Sequence, residues 1–284
     1  PSSSVRCFAL ATDALDGTGS LYALFVQTEA WETFDSLQKY DGTSWTKVSG
    51  LTTVSMIGSG NGRIYAFVKD NTTDASTYSA YATTAVGATT IPATTIATAM
   101  ALPVGTAGDY VATTSAVYYC NGSTLAPLTY SGLPATGIAG IATDGTNAYL
   151  VNSASVYKLN SSAIISSATL SISTPVSDVA WLEAGSTDFV LVAGAEGYAE
   201  VPVAADGSMF VVSQTPGSTS PSSISTGAKD QYTSSIANYV VQNIFPVSLA
   251  TPTGNAYVIY AGITYTSYDG LWAYYPYSRP EWNR

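Results

Sequence analysis

The 284-residue sequence predicts an all-β fold built from six repeats of short antiparallel strands. Two observations carry this prediction: one motif recurs six times, and a similar apolar segment precedes each copy. In each motif a small polar turn leads into an aromatic residue that opens an apolar run. The six aromatic residues are Tyr22, Tyr65, Tyr110, Tyr149, Phe189 and Tyr257. They are 43, 45, 39, 40 and 68 positions apart, and a period near 40 is typical of repeat architectures such as solenoids and propellers.

Each repeat contains further strand candidates on both sides of the motif. First strands are predicted at 7–12, 55–60, 98–103, 138–143, 179–184 and 244–249. Third strands follow at 36–40, 78–82, 116–120, 155–159, 198–202 and 271–275, and fourth strands at 44–48, 89–92, 124–129, 168–172, 208–212 and 281–284. The runs are rich in β-branched and aromatic residues and show no helical period. Four antiparallel strands repeated six times predict a six-bladed β-propeller.

The same alignment sets the expected boundaries of the domain. We expect residues 1–4 to form a polar tether and residues 5–284 to form a single propeller. The first apolar segment should be the innermost strand of blade 1, and blades 1 and 6 should meet without a helix. The inner strands carry small residues that should leave a central channel lined by apolar or neutral groups, namely Ala9, Gly58, Ala99, Gly140 and Ala180.

The composition favours an exported protein. Only 10% of the residues are charged, against about 25% in average proteins, so uncharged polar residues must cover the surface. The net charge of −10 disfavours a nucleic-acid partner, because an acidic surface repels phosphate. No stretch has the roughly 20 apolar residues that span a bilayer. We expect a monomeric secreted or cell-envelope protein that starts at a polar tether, with any signal peptide or lipoprotein anchor removed.

Several residue types that common catalytic sites require are missing or misplaced. The chain has no histidine, which excludes Ser-His-Asp and Cys-His hydrolysis and histidine-held zinc. Among the acids, Asp178 and Glu183 fall on a predicted inner strand, and we interpret them as a turn residue and a rim residue. Cys7 and Cys120 lie two repeats apart on different strand types, which favours two buried free thiols over a disulfide.

One turn resembles those of known propellers. The segment KYDGTSWTKV at 39–48 is similar to the turn between the third and fourth strands of kelch-like and tectonin-like propellers. It also resembles the Asp-box of sialidase propellers, with one residue fewer. We expect Asp41 to cap backbone amides, Gly42 to take a positive φ and Trp45 to pack between blades. The sialidase activity is excluded, because the four arginines do not lie on predicted inner strands.

The candidate binding surface is predicted from loop lengths. Loops between second and third strands share one propeller face with the connections between blades. Three such loops are expected to be long, at 27–36, 69–78 and 261–270, and so is the connection at 214–231. Blades 6, 1 and 2 are neighbours in a closed ring, so these loops should form one sector. Its candidate ligand-binding residues are Trp31, Glu29, Glu32, Asp35, Asp70, Asp74, Tyr265, Tyr268 and Asp269.

This sector predicts binding rather than catalysis. Exposed aromatic side chains beside carboxylates take sugars or peptides by stacking and hydrogen bonding. The leading hypothesis is therefore a non-enzymatic binding or scaffold module with a glycan or protein ligand. The alternatives are ordinary polar loops without a ligand and a carbohydrate-active hydrolase or lyase that uses acidic and tyrosine residues. We predict no catalytic residue and no cofactor, although the carboxylates of the sector could hold Ca²⁺, which takes six to eight oxygen ligands.

Overall fold

The computed structural model describes residues 4–14, 19–28, 33–70, 77–171, 175–184, 188–195, 197–203, 209, 212–213, 229–230, 240–251, 254–264, 270–275 and 279–283. The chain divides into two compact units, Pro1–Thr129 and Tyr130–Arg284. Each unit contains three β-sheets, and the six sheets form a β-propeller of mostly four-stranded antiparallel blades. The described residues contain no helix, and therefore none of the length and apolarity that crossing a membrane requires.

The first unit contains blades 1 to 3. Blade 1 consists of β1 (Ser4–Thr12), β2 (Leu21–Thr28), β3 (Thr33–Tyr40) and β4 (Trp45–Lys47). Blade 2 consists of β5 (Met56–Ser59), β6 (Ile64–Asp70), β7 (Thr77–Ala82) and β8 (Ala97–Met100). Blade 3 consists of β9 (Pro103–Ala107), β10 (Tyr110–Thr113), β11 (Val117–Cys120) and β12 (Leu125–Pro127). The strands of each blade pair in chain order, and β1 and β9 both contact β5, which makes the N-terminal strand the innermost of blade 1 as predicted.

The second unit contains blades 4 to 6. Blade 4 begins with β13 (Ile138–Thr143), β14 (Ala148–Asn152), β15 (Ser155–Leu159) and β16 (Ile164–Ser171), and blade 5 consists of β17 (Val176–Leu182), β18 (Asp188–Gly194) and β19 (Gly197–Val203). The short β20 (Val212–Ser213) then pairs in parallel with β16 of blade 4. Blade 6 consists of β21 (Lys229–Asp230), β22 (Val240–Thr251), β23 (Gly254–Thr264), β24 (Gly270–Tyr275) and β25 (Arg279–Asn283), with β21 parallel to β25.

Two of the predicted fourth strands were wrong. In blade 2 the fourth strand is β8 at 97–100, which the sequence pattern assigned to the start of blade 3. The segment predicted in its place, 89–92, bonds to blade 1 instead: Ile91 N donates to Ser49 O at 2.9 Å. In blade 5 the predicted strand at 208–212 is divided, because Met209 bridges Val203 whereas Val212 pairs with blade 4. In both cases the sequence pattern assigns an apolar segment to one blade, but residues of that segment form hydrogen bonds with the neighbouring blade.

The recurring tyrosines fill the space between neighbouring blades. Tyr22 is fully buried in a cluster with Val54 and Ile64 of blade 2. Tyr65 occupies the same position between blades 2 and 3. Tyr149 lies between blades 4 and 5, where its ring stacks on Trp181 with the centroids 4.8 Å apart. At these three interfaces the recurring tyrosine therefore supplies one large buried side chain between neighbouring blades.

A buried carboxylate fixes the first of these tyrosines. Asp13 is inaccessible to solvent and accepts hydrogen bonds from Ser20 N at 2.7 Å and Gly87 N at 2.6 Å. The Tyr22 hydroxyl lies 3.1 Å from Asp13 Oδ2 and 2.8 Å from Ala88 O, so it can donate to either. Burial, together with the nearby Asp13 charge, raises the pKa of Tyr22 above its ordinary value. The carboxylate thus ties the β1–β2 turn to blade 2.

Two of the small residues predicted for the inner strands lie where adjacent blades approach closely, and a third is not on an inner strand. A Cβ on Gly58 would lie 2.4 Å from the side chain of Thr106, and one on Gly140 would lie 2.6 Å from Val179. Both glycines therefore allow the inner strands of adjacent blades to approach closely. Ala99 does not lie on an inner strand at all, because it belongs to β8, where it has a φ of 54°.

The two cysteines are free, as predicted. The prediction that both are buried was wrong for Cys7. Cys120 is buried, whereas Cys7 is exposed. A register shift between Cys7 and Ala9 interrupts the pairing of β1 with β2. Such a bulge breaks the alternation of side chains between the two faces, and Cys7 and Phe8 are both exposed as a result.

Removing the hydroxyl of one tyrosine at a time should show which tyrosine stabilises the fold through a hydrogen bond and which does so through packing alone. We expect Tyr22→Phe to lower the free energy of unfolding by about 1 kcal/mol, because Asp13 and Ala88 lose a buried donor. Tyr65→Phe should change it by less, since the Tyr65 hydroxyl has no oxygen or nitrogen partner among the described residues and faces only the Cys120 thiol, a weak acceptor. Urea unfolding of both variants measures the difference, and equal losses would contradict it.

Candidate functional site

The structure describes two of the nine predicted ligand-binding residues. Asp35 lies on β3 opposite Val26, and Asp70 ends β6 opposite Thr77 with a half-buried side chain. The other seven belong to connections that lie outside the described residues. These are Glu29, Trp31, Glu32, Asp74, Tyr265, Tyr268 and Asp269. A shared ligand for the nine residues stays a prediction.

The loops that carry these residues are shorter than the sequence suggested. Strands β2 and β3 pair up to Thr28 opposite Thr33, which leaves residues 29–32 as the connection. In blade 2 the pairing continues to Asp70 opposite Thr77, which leaves 71–76. In blade 6, β23 ends at Thr264 and β24 begins at Gly270, which leaves 265–269. Some of the polar residues that resembled loops therefore belong to paired strands. We call these three connections the hairpin tips.

The turn that resembles known propellers has a structural role. Asp41 Oδ1 accepts hydrogen bonds from Thr43 N at 2.9 Å and Ser44 N at 2.8 Å, and these bonds hold the pKa of Asp41 below its usual range. Gly42 has a φ of 99°, as predicted. Trp45 was expected between blades but contacts Phe25 and Tyr40 of its own blade, with 40% of its surface exposed.

The two acids on the inner strand of blade 5 also differ from each other. Asp178 Oδ2 accepts from Ile244 N of β22 at 2.9 Å, and Oδ1 accepts from Val179 N. Burial raises the pKa of Asp178, although these amide bonds oppose the shift. Asp178 is therefore a link between blades 5 and 6 rather than a turn residue. Glu183 follows β17 and is exposed.

A further acid, Glu200, was missed by the sequence analysis. It lies on β19 directly opposite Leu191, so both side chains point to the same face of the sheet. That face packs on blade 6 through Leu191, Ala193 and Tyr198. Glu200 is 4% exposed, its Oε1 has no hydrogen-bond partner among the described residues, and burial raises its pKa to about 8. The sequence did contain a feature that could have identified Glu200, because it is an acid in the middle of an otherwise apolar predicted third strand at 198–202.

The described residues offer no metal centre. Nowhere in the described ranges do three or more cysteine, aspartate or glutamate residues lie in a group that could hold a metal ion. Most of the acids that raised the possibility of Ca²⁺ belong to the hairpin tips, which lie outside those ranges. The described carboxylates of Asp13, Asp41 and Asp178 instead bind backbone amides.

Comparison with known proteins identifies no family for this chain. No family model matches the sequence, and no curated protein matches it. One similar solved structure is a catalytically inactive virginiamycin B lyase from Staphylococcus aureus with quinupristin, at 9% identity and a TM-score of 0.42 over 98% of this chain and 90% of that chain. The N-terminal domain of Nup159 has 8% identity and a TM-score of 0.43, over 94% and 73% of the two chains.

A third structure, the AtxE2 isopeptidase, has 9% identity and a TM-score of 0.25. The match covers 89% of this chain and 44% of that chain, so this chain spans less than half of its length. The sheets themselves define the class, which is a six-bladed β-propeller.

Glu200 should make the stability of the protein depend on pH. Its pKa of about 8 in the folded state exceeds the ordinary value of 4.5, so the folded state retains a proton that the unfolded state loses. The free energy of unfolding should therefore fall as the pH rises from 4.5 to about 8. We expect Glu200→Gln to be more stable than the wild type at pH 8 by on the order of a few kcal/mol, with a smaller difference at pH 4.

Urea unfolding across this pH range measures the effect. Glu183→Gln is the matched control, because it removes an exposed carboxylate that follows the inner strand of the same blade. A difference between Glu200→Gln and the wild type that stays constant with pH would show that Glu200 does not titrate in this range.

Proposed function

We propose that this protein is a non-enzymatic binding or scaffold module of the cell envelope or the extracellular space. Its ligand is a glycan or a protein, and it is recognised by the hairpin tips. In unit 1 these tips supply Trp31, Glu29 and Glu32 from blade 1 and Asp74 from blade 2. Tyr265, Tyr268 and Asp269 occupy the corresponding tip of blade 6.

The observation that carries this proposal is the pairing of the strands beneath the tips. Residues 29–32 connect strands that pair as far as Thr28 and Thr33, and residues 71–76 connect strands that pair as far as Asp70 and Thr77. A short connection on a paired hairpin loses less conformational entropy on binding than a long loop does. An aromatic residue between two acids, as in EAWE at 29–32, supplies both contact area and hydrogen-bond acceptors.

The positions of four of the described carboxylates support binding over hydrolysis. A glycoside hydrolase needs two carboxyl groups that face each other across the substrate, roughly 5 to 9.5 Å apart. Asp13, Asp41 and Asp178 each hold backbone amides, and Glu200 lies inside the interface between blades 5 and 6. The low charge of the chain supports the export part of the proposal, because uncharged polar residues replace lysine and glutamate on its surface.

Trp31→Ala should weaken ligand binding by about 1 to 3 kcal/mol, the loss typical of an aromatic anchor. The unfolding free energy should change little, because a side chain on a loop adds little to the core. A glycan and peptide array identifies the ligand, and titration calorimetry then compares the variants. Trp45→Ala is the control, since Trp45 is a partly exposed tryptophan beside the third-to-fourth strand turn of the same blade.

The outcomes separate the proposal from its alternatives. If Trp31→Ala unfolds the protein, or if Trp45→Ala weakens binding equally, the blade 1 tip does not recognise the ligand. Turnover of a ligand found on the array would establish the carbohydrate-active enzyme instead.

A further inference from the structure

A cleft with a volume of about 290 Å³ lies between blades 2 and 3 of the first unit. It is formed by the turn before β6, the connection between β7 and β8, and the turn between β11 and β12. In antiparallel blades these turns lie on the face opposite to the hairpin tips. The volume is close to the lower end of the range for small-molecule pockets, roughly 300 to 1,000 Å³.

Arg63 is the only charged residue among the described residues that line the cleft. Its guanidinium is held in place by Nη1, which donates to Gly122 O at 2.7 Å and to Cys120 Sγ at 3.0 Å. Nε donates to Asn61 O at the longer distance of 3.5 Å. Nη2 donates to none of the described residues, so two N–H groups of a fixed cation remain for an acceptor.

The rest of the cleft combines hydroxyl groups with an aliphatic wall. Thr84, Thr94 and Ser123 are exposed, and their hydroxyls make no hydrogen bond to the described residues. Pro92 and Ile96 are half-buried and supply apolar surface. The described lining contains no aromatic side chain, so a sugar ring would find no face for stacking, whereas an aliphatic group would find a matching wall.

We propose that this cleft binds a small aliphatic carboxylate with the chemistry of the C-terminal residue of a peptide. The carboxylate accepts hydrogen bonds from Arg63 Nη2 and from the hydroxyls of Thr84 and Ser123. The aliphatic side chain packs against Pro92 and Ile96. Hydrogen bonds between a charged donor and a charged acceptor are about twice as strong as neutral ones. In a chain of net charge −10, a fixed arginine gives this cleft a local preference for anions.

N-acetyl-leucine is the probe, and N-acetyl-leucinamide, which lacks only the charge, is its matched control. Chemical-shift titration of the labelled full chain should show N-acetyl-leucine shifting residues that line the cleft, and the amide binding at least about tenfold more weakly. Arg63→Lys should weaken N-acetyl-leucine binding about tenfold, because an ammonium cannot hold Gly122 and Cys120 and also present two further donors. Lys69→Met removes an exposed positive charge from the same blade and should leave binding unchanged.

Equal binding of the acid and the amide, or full binding by Arg63→Lys, would show that Arg63 only links blades 2 and 3. Tighter binding of glucuronate than of N-acetyl-leucine would replace the peptide-like ligand with an acidic sugar and overturn the proposal. If Arg63→Lys fails to fold, the exposed Thr84→Val and Ser123→Ala variants decide: severalfold weaker binding supports the site, and unchanged binding contradicts it. Trp31→Ala should leave N-acetyl-leucine binding intact, so a failure here is distinguishable from a failure of the hairpin-tip proposal.

Discussion

Each blade must cover both faces of its sheet with its neighbours, and the rest of the structure depends on this packing. The buried clusters are built across interfaces between blades rather than within single blades. Tyr22, Tyr65 and Tyr149 each join residues of their own blade to residues of the next. A blade alone would expose these rings to water, so a single repeat could not hold its apolar residues buried. The close approach at Gly58 and Gly140 brings the inner strands near enough for this packing.

Several charged side chains form hydrogen bonds across these same interfaces between blades. Asp13 holds the backbone of Gly87, Lys39 Nζ donates to Gly87 O at 2.8 Å, and Asp178 holds Ile244 N. Each contact connects one blade to the next through a backbone group that the sheet leaves unpaired. A buried backbone group without a partner is costly, so a charged side chain that reaches it stabilises the interface. Glu200 departs from this rule, because its Oε1 has no partner in the described part of the chain.

The two proposed binding surfaces lie at opposite ends of the strands in their blades. At one end, paired strands carry short tips with aromatic and acidic residues, and the proposed binding module uses them. At the other end, the turns around Arg63 enclose a small cleft with a fixed cation. The two surfaces differ in chemistry: the tips offer acceptors and aromatic faces, whereas the cleft offers donors and an aliphatic wall. The two proposals therefore call for ligands of different chemistry, and separate mutations test them.

The sequence by itself determined the six repeats and the strand order within most blades. These features follow from contacts between residues close in the chain, as at 138–143, where the predicted first strand coincides with β13. The tertiary structure alone decided which blade a borderline segment joins, where hairpins end and which polar groups are buried. Ile91 and Ala99 were misassigned because their partners belong to other strands, and Glu200 was missed because its burial depends on blade 6, about forty or more residues away. Periodicity reports the neighbours of a residue along the chain, whereas burial and pairing depend on residues that only the packed blades bring together.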